Sequence, residues 1–168
     1  MKQIISLALA AALLMASLTA CGGNSDGGQD KQVDLAAFAQ TLQENHEFPM
    51  LDRVDPTDEE FGAVMLDTAY PGLKDMDLEQ TEVYLAMISF SGGELALVQA
   101  KSADDAAKVK GIFDTRVAAK TTEGPGNYPE EVELWQRCAK VASNGSYVML
   151  VNHEDSEAIV SEFNALFQ

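Results

Sequence analysis

A chain of 168 residues with 27 acidic and 11 basic side chains carries a formal charge of −16 at neutral pH. Such a surface repels phosphate groups, which argues against nucleic acid and against electrostatic docking on anionic lipid. Only two cysteines are present, so the fold must rest on an apolar core rather than on disulfide staples, and the length suffices for one.

The first twenty residues have the three parts of a secretory signal. Lys2 supplies the positive start, Ile4 to about Leu14 is an apolar run of Ala, Leu, Ile and Met, and Ala16-Ser17-Leu18-Thr19-Ala20 is small and neutral. The run is short of the ~20 apolar residues that span a bilayer, and the Cys-Gly-Gly-Asn-Ser-Asp-Gly-Gly segment after it lacks a positive stop-transfer charge. Leu18-Thr19-Ala20-Cys21 reads as a lipobox, with Leu three residues before the cysteine and Ala one before it. The expectation is cleavage before Cys21, a diacylglycerol on its sulfur, and a membrane held through acyl chains on the extracytoplasmic side. Residues 21–32 are too polar and glycine-rich to bury surface and read as a flexible tether, leaving 33–168 as a single domain.

Along that domain, Val33 to Gln43 places Leu35, Phe38, Ala39 and Leu42 at helical spacing behind Asp34. A turn with Pro49 follows. Asp55-Pro56-Thr57-Asp58-Glu59-Glu60-Phe61 reads as the start of a short helix, with Thr57 and Glu60 at capping-box spacing. From Thr81 the pattern turns strand-like: Thr81 to Phe90, the turn Ser91-Gly92-Gly93, then Glu94 to Ala100. Ser102 caps a long helix, Ala103 to about Thr121. Tyr128-Pro129 opens a short helical stretch after the breaker Glu123-Gly124-Pro125-Gly126-Asn127. A second hairpin turns at Asn144-Gly145, between Arg137 to Ser143 and Ser146 to Asn152, and a last helix runs from Asp155 to Phe167. Hairpin-then-helix thus occurs twice. Two ββα units predict an α+β fold with a four-stranded antiparallel sheet, helices packed on one face, and N-terminal helices over an end or edge.

Candidate chemistry is sparse. His46 and His153 lie far apart in sequence, each beside acids, without metal-ligand spacing, so no metal and no cofactor is expected. The acids Asp52, Asp55, Asp58, Glu59 and Glu60 are three apart rather than alternate, which suits helix capping better than a calcium loop. Cys138, in the apolar run Cys138-Ala139-Lys140-Val141, reads as a small buried hydrophobe in a strand. Tyr70, Tyr128, Trp135 and Tyr147 lie in or beside loops and hairpin ends, as core residues or as a binding surface; Tyr128 and Tyr147 are the candidates for contact with a partner.

Three segments carry a resemblance to a known family: Glu94-Leu95-Ala96-Leu97-Val98-Gln99-Ala100-Lys101-Ser102, the helix after it with Arg116, and Asn144-Gly145-Ser146-Tyr147-Val148-Met149-Leu150-Val151. With Tyr128-Pro129 between them, they resemble a bacterial envelope-lipoprotein family known as domain of unknown function 4358, over roughly Leu35 to Phe167. The resemblance implies a single α+β domain and an envelope lipoprotein, and brings no catalytic residues with it. The expected function is a non-catalytic binding or interaction module, lipid-anchored at the cell envelope and meeting an envelope protein or a small ligand. A small carboxylate-dependent hydrolase acting on cell-wall or secreted polymers is the alternative.

Overall fold

The computed structural model describes residues 32–86, 93–124 and 127–168. The expected signal segment, Cys21, the Ser91-Gly92 turn and Pro125-Gly126 lie outside the described residues. The elements run α1 (Leu35–Asn45), β1 (Leu51–Arg53), α2 (Gly62–Ala69), a 3-10 turn at Leu73–Asp75, β2 (Leu78–Ala86), β3 (Glu94–Ala100), α3 (Ala103–Lys120), α4 (Pro129–Cys138), β4 (Ala139–Asn144), β5 (Tyr147–Asn152) and α5 (Ser156–Ala165). The class is α+β, as expected. The sheet has five strands rather than four, in the order β1-β2-β3-β5-β4, every neighbour antiparallel. The additional strand is β1, whose three residues pair with Tyr84 to Ala86. Three residues are too few to display a period of two.

Strands β3 and β5 are the middle of the sheet, and nearly every residue in them is buried. Their side chains alternate between two separate cores. Ala96, Val98, Ala100, Val148 and Leu150 pack with Tyr70, Val109, Phe113 and Trp135, beneath α2, α3 and α4. Leu95, Leu97, Tyr147, Met149 and Val151 pack with Leu35, Phe38, Leu42, Ile159 and Phe163, beneath α1 and α5. Helices therefore cover both faces, where the repeated pattern predicts one. The linkers differ: two residues separate β3 from α3, while three, His153 to Asp155, form a turn between β5 and α5, and the helix after that turn packs on the face of Leu95 and Met149.

Local chemistry sets the boundaries. The Asp34 carboxylate accepts from Ala37 N at 3.0 Å and starts α1; Ser102 Oγ accepts from Asp105 N at 3.1 Å and starts α3. The expected Thr57–Glu60 capping box does not form. Thr57 donates its hydroxyl to Asp55 at 2.7 Å, and Asp58 accepts from the backbone N–H groups of Glu60 and Phe61, so the chain turns first and α2 begins at Gly62. A Cβ at Gly62 would stand 1.7 Å from the Asp55 carbonyl oxygen, so only glycine fits there. The second hairpin turns on Gly145-Ser146, one residue later than expected, because Asn144 and Tyr147 are paired. Gly145 takes a φ of 55°, which glycine adopts without steric cost. Cys138 closes α4 instead of opening a strand, and is buried there.

Candidate functional site

The start of β3 and the end of β5 meet at one end of the sheet, where Glu94 pairs with Asn152. Beside them lies a cleft of about 620 Å³, lined by the segment after α1 (Glu47, Phe48, Pro49), by Leu134 of α4, and by His153, Glu154 and Asp155 between β5 and α5. A volume of this order suits a small ligand. Apolar surface comes from Phe48, Pro49 and Leu134, and polar groups stand on both sides, Asn45 and Glu47 at and just after the end of α1 and Asn152 to Asp155 before α5.

One wall of the cleft is backed by a cluster that sequence separation conceals. The His46 and His153 rings come edge to face, 5.9 Å between centroids, and Phe48 packs against His153 at 4.4 Å. His46 Nδ1 lies 3.1 Å from Asp155 Oδ2, and its Nε2 lies 2.9 Å from Glu162 Oε1. With a carboxylate on each nitrogen, the ring is placed to carry both protons. Burial opposes that charge, but the bonds to Asp155 and Glu162 outweigh it and hold the His46 pKa above the ordinary 6.5. His153 is held differently. Its Nδ1 accepts from Asp155 N at 2.9 Å, so the proton sits on Nε2, which donates to the Glu47 carbonyl at 3.2 Å. Asp155 stands at the N-cap of α5 yet makes no side-chain cap bond; its carboxylate turns to His46 instead. His46, His153 and Asp155 each offer a ligand atom within 4.8 Å of the others. The absence of metal-ligand spacing along the chain therefore does not carry over to the fold, because α1 and the β5–α5 linker bring the histidines together.

On the other side of Glu94 lies a buried ion network. Glu94 is 3% exposed and takes two bonds from Arg116, Nε to Oε1 at 3.0 Å and Nη2 to Oε2 at 2.7 Å, with the Tyr70 hydroxyl donating to the same carboxylate. Burial, then the Glu94 charge, push the Tyr70 hydroxyl well above its ordinary pKa, so it remains a donor. The Arg116 guanidinium also lies over the Trp135 ring, 5.6 Å from its centroid. Nearby, Lys120 donates to buried Glu131 at 2.7 Å. Such a bidentate, aromatic-sandwiched pair fixes α3 and α4 on the sheet end. Its charges are paired with one another, Trp135 Nε1 and one Glu131 oxygen are buried without a hydrogen-bond partner among the described residues, and none of these residues lines the cleft.

A family model described as a domain of unknown function, DUF4358, matches residues 55–153. The chain belongs to this family. The DUF4358 segment takes in α2 to α4 and strands β2 to β5, ends on His153, and leaves α1, β1 and α5 outside, a narrower span than the sequence resemblance suggested. Tyr70, Glu94, Arg116 and Trp135 all fall within it, while His46, Asp155 and Glu162 do not. No curated protein and no solved structure matches the chain.

The two tyrosines singled out in the sequence are not brought together. Tyr128 is 57% exposed at the N-cap of α4. Tyr147 is 2% exposed, stacked 5.0 Å from Phe167, with its hydroxyl accepting from Val33 N at 3.1 Å; its surroundings are those of a core residue. Tyr70 and Trp135 are buried as well. Phe61, 62% exposed at the start of α2, is an exposed aromatic that no sequence signal singles out, since its pattern resembles that of a core position.

Proposed function

We propose that this DUF4358 protein is an extracytoplasmic binding module, tethered by a lipid on Cys21, that takes a small ligand in the cleft at the end of the sheet. The tether part rests on the Leu18-Thr19-Ala20-Cys21 sequence; among the described residues no helix is long and apolar enough to cross a membrane. The binding part rests on the cleft itself, a mixed apolar and polar hollow where the segment after α1, α4 and the β5–α5 turn meet. One observation favours binding over carboxylate hydrolysis. The acids at the cleft are open to water: Asp155 is 58% exposed and faces His46, Glu154 is 78% exposed beside Arg137, and Glu47 is exposed. A catalytic acid works from a place shielded from water, and these stand outside one.

The test is crosslinked recovery from the native envelope, comparing the natural chain with Leu134→Arg, which places a charged arm in the cleft. A bound species recovered with the natural chain and lost from a Leu134→Arg protein of unchanged melting temperature supports the reading. Equal recovery from both removes the cleft from consideration. Cys21→Ser in the same cells reports on the anchor: release from the membrane fraction is expected, and normal processing with retained membrane partition contradicts it.

A further inference from the structure

The cluster of His46, His153 and Asp155 has the makings of a metal centre, and we propose that it binds a divalent transition metal of the zinc class. Three features of its geometry carry this. First, the donor set is two imidazoles and one carboxylate, a combination that suits zinc and its neighbours rather than calcium or magnesium, which take oxygen ligands. Second, the spacing is close to what a metal needs. Bonds of about 2.0–2.1 Å in a tetrahedron set ligand atoms about 3.4 Å apart. His46 Nδ1 and Asp155 Oδ2 are at 3.1 Å, and one ring nitrogen of each histidine and one Asp155 oxygen lie within 4.8 Å of one another, close enough for side-chain adjustment to bring them onto one ion.

The third feature is the outer shell. A histidine that ligates a metal through one nitrogen donates the other N–H to a carboxylate or carbonyl, which fixes the ring. Both histidines already have that partner. When His46 binds through Nδ1, its Nε2–H remains on Glu162 at 2.9 Å. When His153 binds through Nδ1, its Nε2–H remains on the Glu47 carbonyl at 3.2 Å, and only the bond from Asp155 N is given up. Asp155 forgoes the cap of its own helix to point its carboxylate at this place. His153 and Asp155 both line the cleft, so the remaining position of a three-ligand ion opens on it, and water or a donor atom of a cleft ligand completes the set. The metal site does not depend on the cleft having a ligand of its own. It lies at the margin of the DUF4358 match, with His153 its last residue and His46, Asp155 and Glu162 outside it.

The experiment is calorimetric titration of the full-length protein in detergent, stripped with a chelator, with Zn²⁺ alone and separately with Ca²⁺; Co²⁺ gives a visible-band spectrum as a second readout. The expected result is one saturable equivalent of Zn²⁺, Co²⁺ bands of nitrogen and oxygen coordination, and no comparable Ca²⁺ binding. His153→Ala weakens Zn²⁺ at least about 100-fold, and Glu162→Gln, which touches only the outer shell, weakens it about 10–100-fold. If His46→Ala does not fold, His153→Ala and Glu162→Gln still decide the matter. Equal Zn²⁺ binding by the natural chain and His153→Ala, equal binding of Ca²⁺, or no saturable binding overturns the proposal. Failure here leaves the cleft reading untouched, because the crosslinking comparison adds no metal.

Discussion

The two faces of the sheet are built on opposite plans. Under α2, α3 and α4 the core admits charge: Glu94 and Arg116 are locked together among Tyr70 and Trp135, and Lys120 meets buried Glu131. Under α1 and α5 the core is mainly aliphatic and aromatic; its charges are buried Glu82, paired bidentately with half-exposed Arg53, and, at its edge, His46 tied to Asp155 and Glu162. Both faces share the strands β3 and β5 and differ by the parity of the residue. On the first face both members of each ion pair are largely buried, while on the second the cation of the Glu82 pair is half open to water and shape carries more of the geometry. The second face can therefore carry a titratable, metal-capable group at its rim, since nothing beneath depends on that group for neutralisation.

Removing one partner of the buried pair tests this contrast most severely. Arg116→Ala leaves Glu94 charged, buried and unpaired, so it destabilises the protein by about 3–5 kcal/mol in urea unfolding. Arg116→Met paired with Glu94→Gln removes both charges and recovers a large part of that loss; a double variant as unstable as the single one shows that volume, rather than charge, governs this face. On the opposite face Leu42→Ala leaves a cavity beneath α1 and costs about 2–4 kcal/mol. A cost below 1 kcal/mol would show that α1 is not a structural part of the core.

Much of this was legible in the sequence because it is local. Asp34 and Ser102 announce α1 and α3 by side-chain caps within three residues, and Tyr128-Pro129 announces α4 by fixing its first turn. The apolar run Val148-Met149-Leu150-Val151 forms β5 as expected and is buried on both faces, with α1 among the elements that cover one of them. What the sequence concealed is non-local or set in a turn. The turn His153 to Asp155 sets α5 on the face opposite α3, and the repeated hairpin–helix pattern does not mark it. The Glu94–Arg116 pair spans a strand-to-helix crossing that no periodicity marks. His46 and His153 become neighbours only because α1 and α5 lie side by side, so the part of the candidate site that could hold a metal was invisible while its members were legible one by one. Asp155 is the instructive residue: its position marks a helix start, and its side chain serves another purpose.

The mildest test concerns the rim of the second face, in metal-free protein. The His46 ring is faced by Asp155 and Glu162 of α5 and by the edge of the His153 ring, and the two carboxylates raise its pKa in the folded state. A group whose pKa is raised by folding binds its proton more tightly in the folded protein. Its contribution is complete below the unfolded value, about 6.5, and is lost as pH rises through the higher folded value. The melting temperature in a chelating buffer is therefore expected to decline from about pH 6.5 upward and then level off. Both acids are substantially open to water, so the slope is shallow. His46→Gln keeps a hydrogen-bonding side chain without the titration and should flatten this part of the profile, while Arg116 variants should leave its shape unchanged. A decline that persists in His46→Gln assigns the pH dependence elsewhere and breaks the contrast between a charge-locked face and one with a titratable rim.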